Sequence, residues 1–512
     1  MKRKIARVCL GLLLTLSLVV PAMARELVIV AAEEIENTDI QQCTTSFATH
    51  DFLYAPMLVL DSDMTLQKGY VSDWKVSEDG MVITMTIPEG LKFSNGDPVT
   101  AEAVMRSFVR YAETSSFGAD FKKDCSFSVN GNDFIMTWTD SPAANFVDMA
   151  SAFTGLVDVA AAERTDKDEF ARKAVTFGLF AVDEWVQGSH IILKRNPYHR
   201  TNIPFVENKG IALVESVRVR FVPSGFTRVS EIQAGKADIA FNIPIENVDE
   251  LEKNDNVEMI RYLLAGGSMY YLNDKVPGLN DPAVRQAIIR GIDKEELVAV
   301  LDDKAQARYG FMPPTMSGYS EAAEEAFSRD FGYDMEKAKG LLETAGWKAG
   351  KDGIREKDGV RLSFTMMVPL DIPEMASTAP LIQAQLKKLG IAVEIREFEH
   401  NYVKNQTRKG EYEIAGRRYN WPDGSMVNYL FESTYKYTSD PEVDEVLKVA
   451  VNETNPAKRM ELYAKGQRLV LEKGLGVPLL TPFRYLAFSK QIKGYKMTGN
   501  TILLLNDVEF VK

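Results

Sequence analysis

The densest group of side chains able to do chemistry lies in Ala415-Gly416-Arg417-Arg418-Tyr419-Asn420-Trp421-Pro422-Asp423-Gly424-Ser425. Two guanidiniums offer planar forks of donors that match a carboxylate two bonds at a time. Tyr419 and Trp421 could wall in an alkyl or sugar face. The stretch is expected to link a strand to a helix opening near Ser425. The bland alternative is that Arg417 and Arg418, being neighbours, point one to solvent and one to an internal carboxylate, with Trp421 in the core. Met269-Tyr270-Tyr271-Leu272-Asn273 poses the same question. Alternation along a strand lets only one tyrosine face a cleft; Tyr270 is the candidate, and core packing is the competing fate of either.

Catalytic patterns are sparse. Ser72-Asp73-Trp74-Lys75 fits S-x-x-K, in which a lysine activates a serine, but no S-D-N or K-T-G companion exists. There is no H-E-x-x-H and no G-x-S-x-G, and Gly235-Lys236 is followed by Ala237, so no phosphate-binding Walker loop forms. His50, His190, His199 and His400 are widely spread, which gives a metal cluster little support. The chain is therefore expected to be no enzyme and to need no cofactor or metal. A secreted serine hydrolase using Ser72 and Lys75 is the alternative of another class.

Lys2, Arg3, Lys4 and Arg7 precede an apolar run, Val8 to Val20, and Ala22-Met23-Ala24 is a small-x-small cleavage site. Residues 1–24 thus read as a secretory signal cleaved after Ala24. Cys9 lies too early to carry a lipid, so no lipoprotein is expected. The formal net charge of −12 becomes −16 once those four cations leave. An acidic surface argues against nucleic acid as a partner. Cys43 and Cys125 remain, and an oxidising compartment allows them to pair; two separate buried thiols are the alternative. A mature chain of about 488 residues is too long for one core and predicts two or three lobes.

The elements that must position these residues start from Asp73 to Tyr111. Ser77-Glu78-Asp79-Gly80 is a turn, Met81 to Ile87 a strand, and Ser94-Asn95-Gly96-Asp97-Pro98 a second turn leading to Thr100, which caps a helix running towards Tyr111. Further on, Gly235 ends a helix at a left-handed position, Asp281 and Pro282 open another, and Asp334 to Ala345, Leu362 to Val368, Ala379 to Leu389 and Ile391 to Ile395 alternate helix with strand. That alternation makes an α/β lobe.

The same stretches resemble a known family. Asp73-Trp74-Lys75-Val76-Ser77-Glu78-Asp79-Gly80, Pro88-Glu89-Gly90-Leu91-Lys92-Phe93-Ser94-Asn95-Gly96-Asp97 and Pro98-Val99-Thr100-Ala101-Glu102-Ala103-Val104 resemble the ordered hallmark segments of the family 5 solute-binding proteins of ABC importers, whose members bind oligopeptides, dipeptides or nickel chelates. Val175 to Tyr198 resembles another family segment, with Thr176-Phe177-Gly178-Leu179 departing from its GTGP. If that backbone lines the cleft, the cleft's shape is altered.

The resemblance implies an α/β fold of the periplasmic-binding-protein type II kind: two main α/β lobes joined by hinge strands plus a smaller lobe. Lobe I would comprise residues 25–56, 175–265 and 485–512, lobe II 57–174, and lobe III 266–484. It further implies a monomer in the periplasm that takes a small solute, a peptide first, between lobes I and III and delivers it to a membrane permease. The alternative ligand is an anionic non-peptide solute or a metal chelate. In peptide-binding relatives an Asp pairs with the peptide ammonium, and aligning the prolines puts Asn420 there. Either Asp423 takes over that role, or the ligand presents an anion to Arg417 or Arg418.

Overall fold

The computed structural model describes residues 25–139 and 147–511; the expected leader and its cleavage point lie outside the described residues. The molecule is built on one mixed sheet of twelve described strands. In chain order these are β1 (Leu27–Ala31), β2 (Phe180–Val186), β3 (His190–Arg195), β4 (Ser216–Phe221), β5 (Ile239–Ala240), β6 (Val257–Leu263), β7 (Gly266–Leu272), β8 (Ala305–Ala307), β9 (Ser363–Pro369), β10 (Ala392–Phe398), β11 (Ile414–Asn420) and β12 (Gly476–Ser489). The helices that matter below are α1 (Ala48–Leu53), α2 (Ala101–Thr114), α3 (Pro373–Lys388), α4 (His400–Lys409) and α5 (Pro456–Lys473). Across the sheet the order is β10-β9-β11-β7-β12-β5-β1-β4-β3-β2, with β6 and β8 also paired to β12.

Strand β12 holds the two halves together. Its first residues pair with β7, Tyr271 opposite Gly476, while Phe483 to Ser489 pair with β6, Leu263 opposite Phe483. It is buried along nearly its whole length, as a strand covered on both faces must be. Strands β6 and β7 follow one another with only Leu264 and Ala265 between them. The Leu264 N–H donates to Pro482 O (3.1 Å), and the Thr481 hydroxyl to Gly266 O (2.8 Å). The chain therefore crosses from one half to the other along two strands bonded at the crossing.

Apolar side chains gather into separate cores. Alternation along β1 sends Leu27 and Ile29 into a core with Phe180, Ile191, Val217 and Phe488, and Val30 to the opposite face with Ile232, Leu251 and Ala487. A second core surrounds α2, where Val104, Phe108 and Tyr111 meet Phe121, Phe134 and Met136. A third and larger one runs from Met269 to Leu480. Thr100 caps α2 by accepting from Ala103 N–H (3.2 Å), and Gly80 turns the preceding hairpin at φ 75°.

Some expectations change. The helix expected from Ala379 starts at Pro373, which has no N–H to satisfy at the first position, and it continues through Pro380. Cys43 and Cys125 are free. They belong to different cores: Cys43 is buried near the His50 ring, whereas Cys125 opens a strand beside the second core. The Thr176 to Leu179 segment does not shape the ligand cleft described below. Phe177 is buried in the second core, and a Cβ on Gly178 would fall 2.1 Å from the Leu53 carbonyl, so this backbone is packed internally.

Candidate functional site

Where β6 and β12 cross, the two halves leave a cavity of about 980 Å³. Its floor is Tyr262, Leu264, Ala265 and Pro482 to Tyr485. One wall comes from β1, the start of α1 and the loop from Phe241 to Glu246; the other from the start of α3, the end of β11 and Leu301 to Lys304. The size is at the upper end for pockets that enclose a small molecule.

Each wall is held from behind. The buried Arg228 donates to the carbonyls of Val222 (2.6 Å), Pro223 (2.9 Å), Phe241 (2.9 Å) and Asn242 (2.7 Å), fixing the wall loop where Asn242 takes a left-handed φ of 51°. Short α1 is pinned by His50. Its Nδ1 accepts from Phe47 N–H (3.1 Å) and its Nε2 lies 2.8 Å from Asn37 O, so the proton sits on Nε2. Burial pushes His50 down to about 4, which keeps the ring neutral in that arrangement at physiological pH.

Charge is unevenly placed between the walls. On the β11 side, Glu374 in the first turn of α3 lies 3.7 Å from the Arg418 guanidinium and 4.0 Å from that of Arg484. Neither contact is a hydrogen bond, and Glu374 Oε1 has no hydrogen-bond partner among the described residues. Two guanidiniums thus share one nearly buried carboxylate, leaving a net positive charge. Burial holds Arg484 below its ordinary pKa, Glu374 opposing and Arg418 adding to the shift. On the α1 side, Asp51 is half-buried, and burial alone pushes its carboxyl up to about 7. No ion pair involving it occurs among the described residues.

The sequence-derived candidates divide sharply. Arg418 and Asn420 line the cleft. Arg417, one residue away on β11, projects from the opposite face; it is buried over the Tyr429 and Tyr437 rings, with Nη1 3.5 Å from His400 Nε2. Tyr419 is buried and donates to Phe311 O (2.8 Å), so it is a core tyrosine. Tyr270 is likewise in the third core, 1 % exposed. Asp423 cannot take over an ammonium: it is fully buried, and its oxygens accept from Arg459 at 2.6 and 2.8 Å. Trp421 is half-buried and faces Tyr111, Phe117 and Phe153 of the second core across a separate gap of about 260 Å³.

Asp51, Glu374 and Arg484 escaped the sequence reading. Arg484 carried a signal, as the one charge within the apolar run from Val477 to Phe488. Asp51 and Glu374 carried none that spacing could reveal. The hydrolase arrangement is absent: the Ser72 hydroxyl donates to Thr86 O (3.0 Å), and Lys75 stands three residues on along an extended strand, which turns it to the other side. Among the described residues no group of three or more metal-ligating side chains converges, and no helix is long and apolar enough to cross a membrane.

A ligand-sized cleft between two α/β halves, floored by the strands that join them, defines a solute-binding protein of the type that clasps its ligand between lobes. The family model described as bacterial extracellular solute-binding proteins, family 5, middle region, matches residues 65–440, and the chain belongs to that family. It is a non-enzymatic substrate-binding component of an ABC transporter. It is 27 % identical over 443 residues to the "Probable D,D-dipeptide-binding periplasmic protein DdpA" of Escherichia coli (strain K12), covering 83 % of this chain and 81 % of that protein. HbpA2 from Haemophilus parasuis shares the fold with a TM-score of 0.81 at 18 % identity, over 95 % of this chain and 100 % of that one. NikA from Brucella suis, solved in complex with Fe(III)-EDTA, gives a TM-score of 0.79 at 18 % identity, over 95 % and 100 %. The expected mixed α/β fold is thus found over nearly the whole chain.

Proposed function

We propose that this protein captures a small solute bearing a carboxylate, a short peptide first among the candidates, and presents it to the permease of an importer. The observation that carries this reading is the Arg418–Glu374–Arg484 group, in which two guanidiniums share one carboxylate inside the cleft. An incoming carboxylate supplies the missing negative charge and can take bidentate bonds that Glu374, at 3.7 and 4.0 Å, does not make. The D,D-dipeptide named for the E. coli relative supports the peptide class. A second reading, an anionic non-peptide solute or chelate, is favoured by the uncharged Asn420 at the cleft and by the Fe(III)-EDTA complex of NikA.

The proposal includes the lobe boundaries. Residues 25–56, 175–265 and 485–512 would move as one lobe carrying 57–174 with it, against 266–484. The crossing at Leu264 and Pro482 would be the hinge. An exported, monomeric protein acting in the periplasm fits this reading. Mass spectrometry of the small molecule released when the purified protein is denatured tests it. Carboxylate-bearing species are expected: a mixture of short peptides supports the first reading, a single anionic compound the second. Release of a cation or a neutral molecule without a carboxylate overturns both.

A further inference from the structure

The cleft places unlike charges on its two walls, and the existing cations are already committed. Arg228 spends its donors on four backbone carbonyls. Lys304 pairs with Asp249 at 3.4 Å. Arg418 and Arg484 share Glu374 across the cleft from α1. None is left for Asp51, whose carboxylate is shifted by burial alone, with no charged neighbour contributing. The other acids on that side differ from it. Glu33 and Glu246 are exposed, and Glu33 already meets the Asn242 amide at 3.4 Å. A half-buried carboxylate without a counter-ion gains more from a cation than a solvated one does.

We propose that the ligand is a zwitterion whose ammonium seats on Asp51, on the α1 wall, and whose carboxylate seats on Arg418 and Arg484 of the facing wall. This rests on the carboxylate reading above and adds the other end of the ligand. The assignment moves ammonium recognition away from the β11 loop, where Asn420 has no charge and Asp423 is sealed to Arg459. The two charges stand on opposite walls of a cavity of about 980 Å³, so the ligand carries them at opposite ends of a chain. Short peptides with both termini free have that form; single-charged anions do not. Because each wall belongs to a different half of the molecule, only a ligand with both charges rewards the approach of the halves fully.

The test uses the purified protein, freed of ligand by unfolding and refolding. It is offered three probes: a mixture of synthetic di- and tripeptides with free termini, the same mixture N-acetylated, and the same mixture amidated at the C-terminus. Retained species are quantified by mass spectrometry. Free peptides are expected to be held, and acetylation to reduce retention by about tenfold or more, the scale for losing a buried charge pair. The Asp51→Asn variant should hold free peptides correspondingly less, and acetylation should then have no additional effect. Equal retention of acetylated and free peptides by the unaltered protein overturns the Asp51 assignment and leaves the carboxylate reading standing. Equal retention of amidated and free peptides overturns the carboxylate reading itself, and with it this proposal. Failure to hold any free peptide overturns both. Should Asp51→Asn fail to refold, the acetylated probe alone decides.

Discussion

Two aspartates of this protein are both out of bulk water, and their surroundings give them opposite energetics. Asp423 meets the Arg459 fork and also accepts from the Ser425 N–H at 2.9 Å. Removing its charge would leave Arg459 buried and uncompensated, at a cost of about 3–5 kcal/mol. Asp423→Asn is therefore expected to lower the urea midpoint strongly. Asp51 is the reverse case. Its folded pKa of about 7 lies above the model value of 3.8, so between those limits the folded state holds the proton better than the unfolded one. The ionised side chain then costs stability as pH rises through that window, in full above about 7 and not at all below the unfolded value. Asp51→Asn should stabilise the ligand-free protein at pH 7.5, on the order of 1 kcal/mol for a half-buried group, and the gain should vanish by about pH 4. Thermal unfolding of the variant and the unaltered protein at both pH values checks the sign. A variant less stable at pH 7.5 would show that Asp51 is compensated in the free protein.

At the scale of elements, what the sequence made legible was whatever its own neighbours decide. Thr100 before α2, Gly80 and Gly235 at left-handed positions, and Asp334 capping the helix Met335–Thr344 all act within a few residues of themselves. Alternation along β11 also stood out, and Arg417 and Arg418 do point to opposite faces. Which face becomes the cleft is another matter. That depends on α3 lying to one side and on α4 and the Tyr429–Tyr437 pair lying to the other, contacts no local pattern encodes. Asp423 meets Arg459 across 36 residues, and Glu374 meets Arg484 only because β12 passes beneath α3. The crossing itself is tight. A Cβ on Gly266 would fall 2.0 Å from Tyr419 O, so β7 and β11 would have to separate beside Asn420. Gly266→Ala should cost about 1–3 kcal/mol through overpacking and should weaken ligand retention, because Arg418 and Asn420 ride on the displaced strand. Urea unfolding and the retention assay measure the two effects, and full retention would show that β11 absorbs the shift without moving the site.

For the whole molecule the question is how a bound solute changes the relation of the halves. Shifting an equilibrium from 1:99 to 99:1 takes a differential affinity of about 5.5 kcal/mol. A hydrogen bond to a charged group contributes about 1.5–3 kcal/mol, so one wall's contacts fall short of that shift and contacts on both walls can reach it. A ligand engaging the α1 wall through Asp51 and the β11 wall through Arg418 and Arg484 satisfies this condition; one that meets only the arginines does not. Closure should also be visible at Trp421. It follows Arg418 by three residues and faces Phe117 and Phe153 of the second core across its gap, so rotating the halves changes what the indole meets. Saturating free-terminus peptide is expected to contract the protein in solution scattering and to shift its tryptophan emission. Of the protein's five tryptophans, Trp421 is the reporter, so Trp421→Phe should remove most of the emission change while the scattering change persists. The N-acetylated peptide at matched occupancy should produce a smaller contraction, because one wall is left unbridged. Identical scattering with and without saturating peptide would show that capture occurs without closure, and equal contraction by both peptides would show that the arginine wall alone drives it.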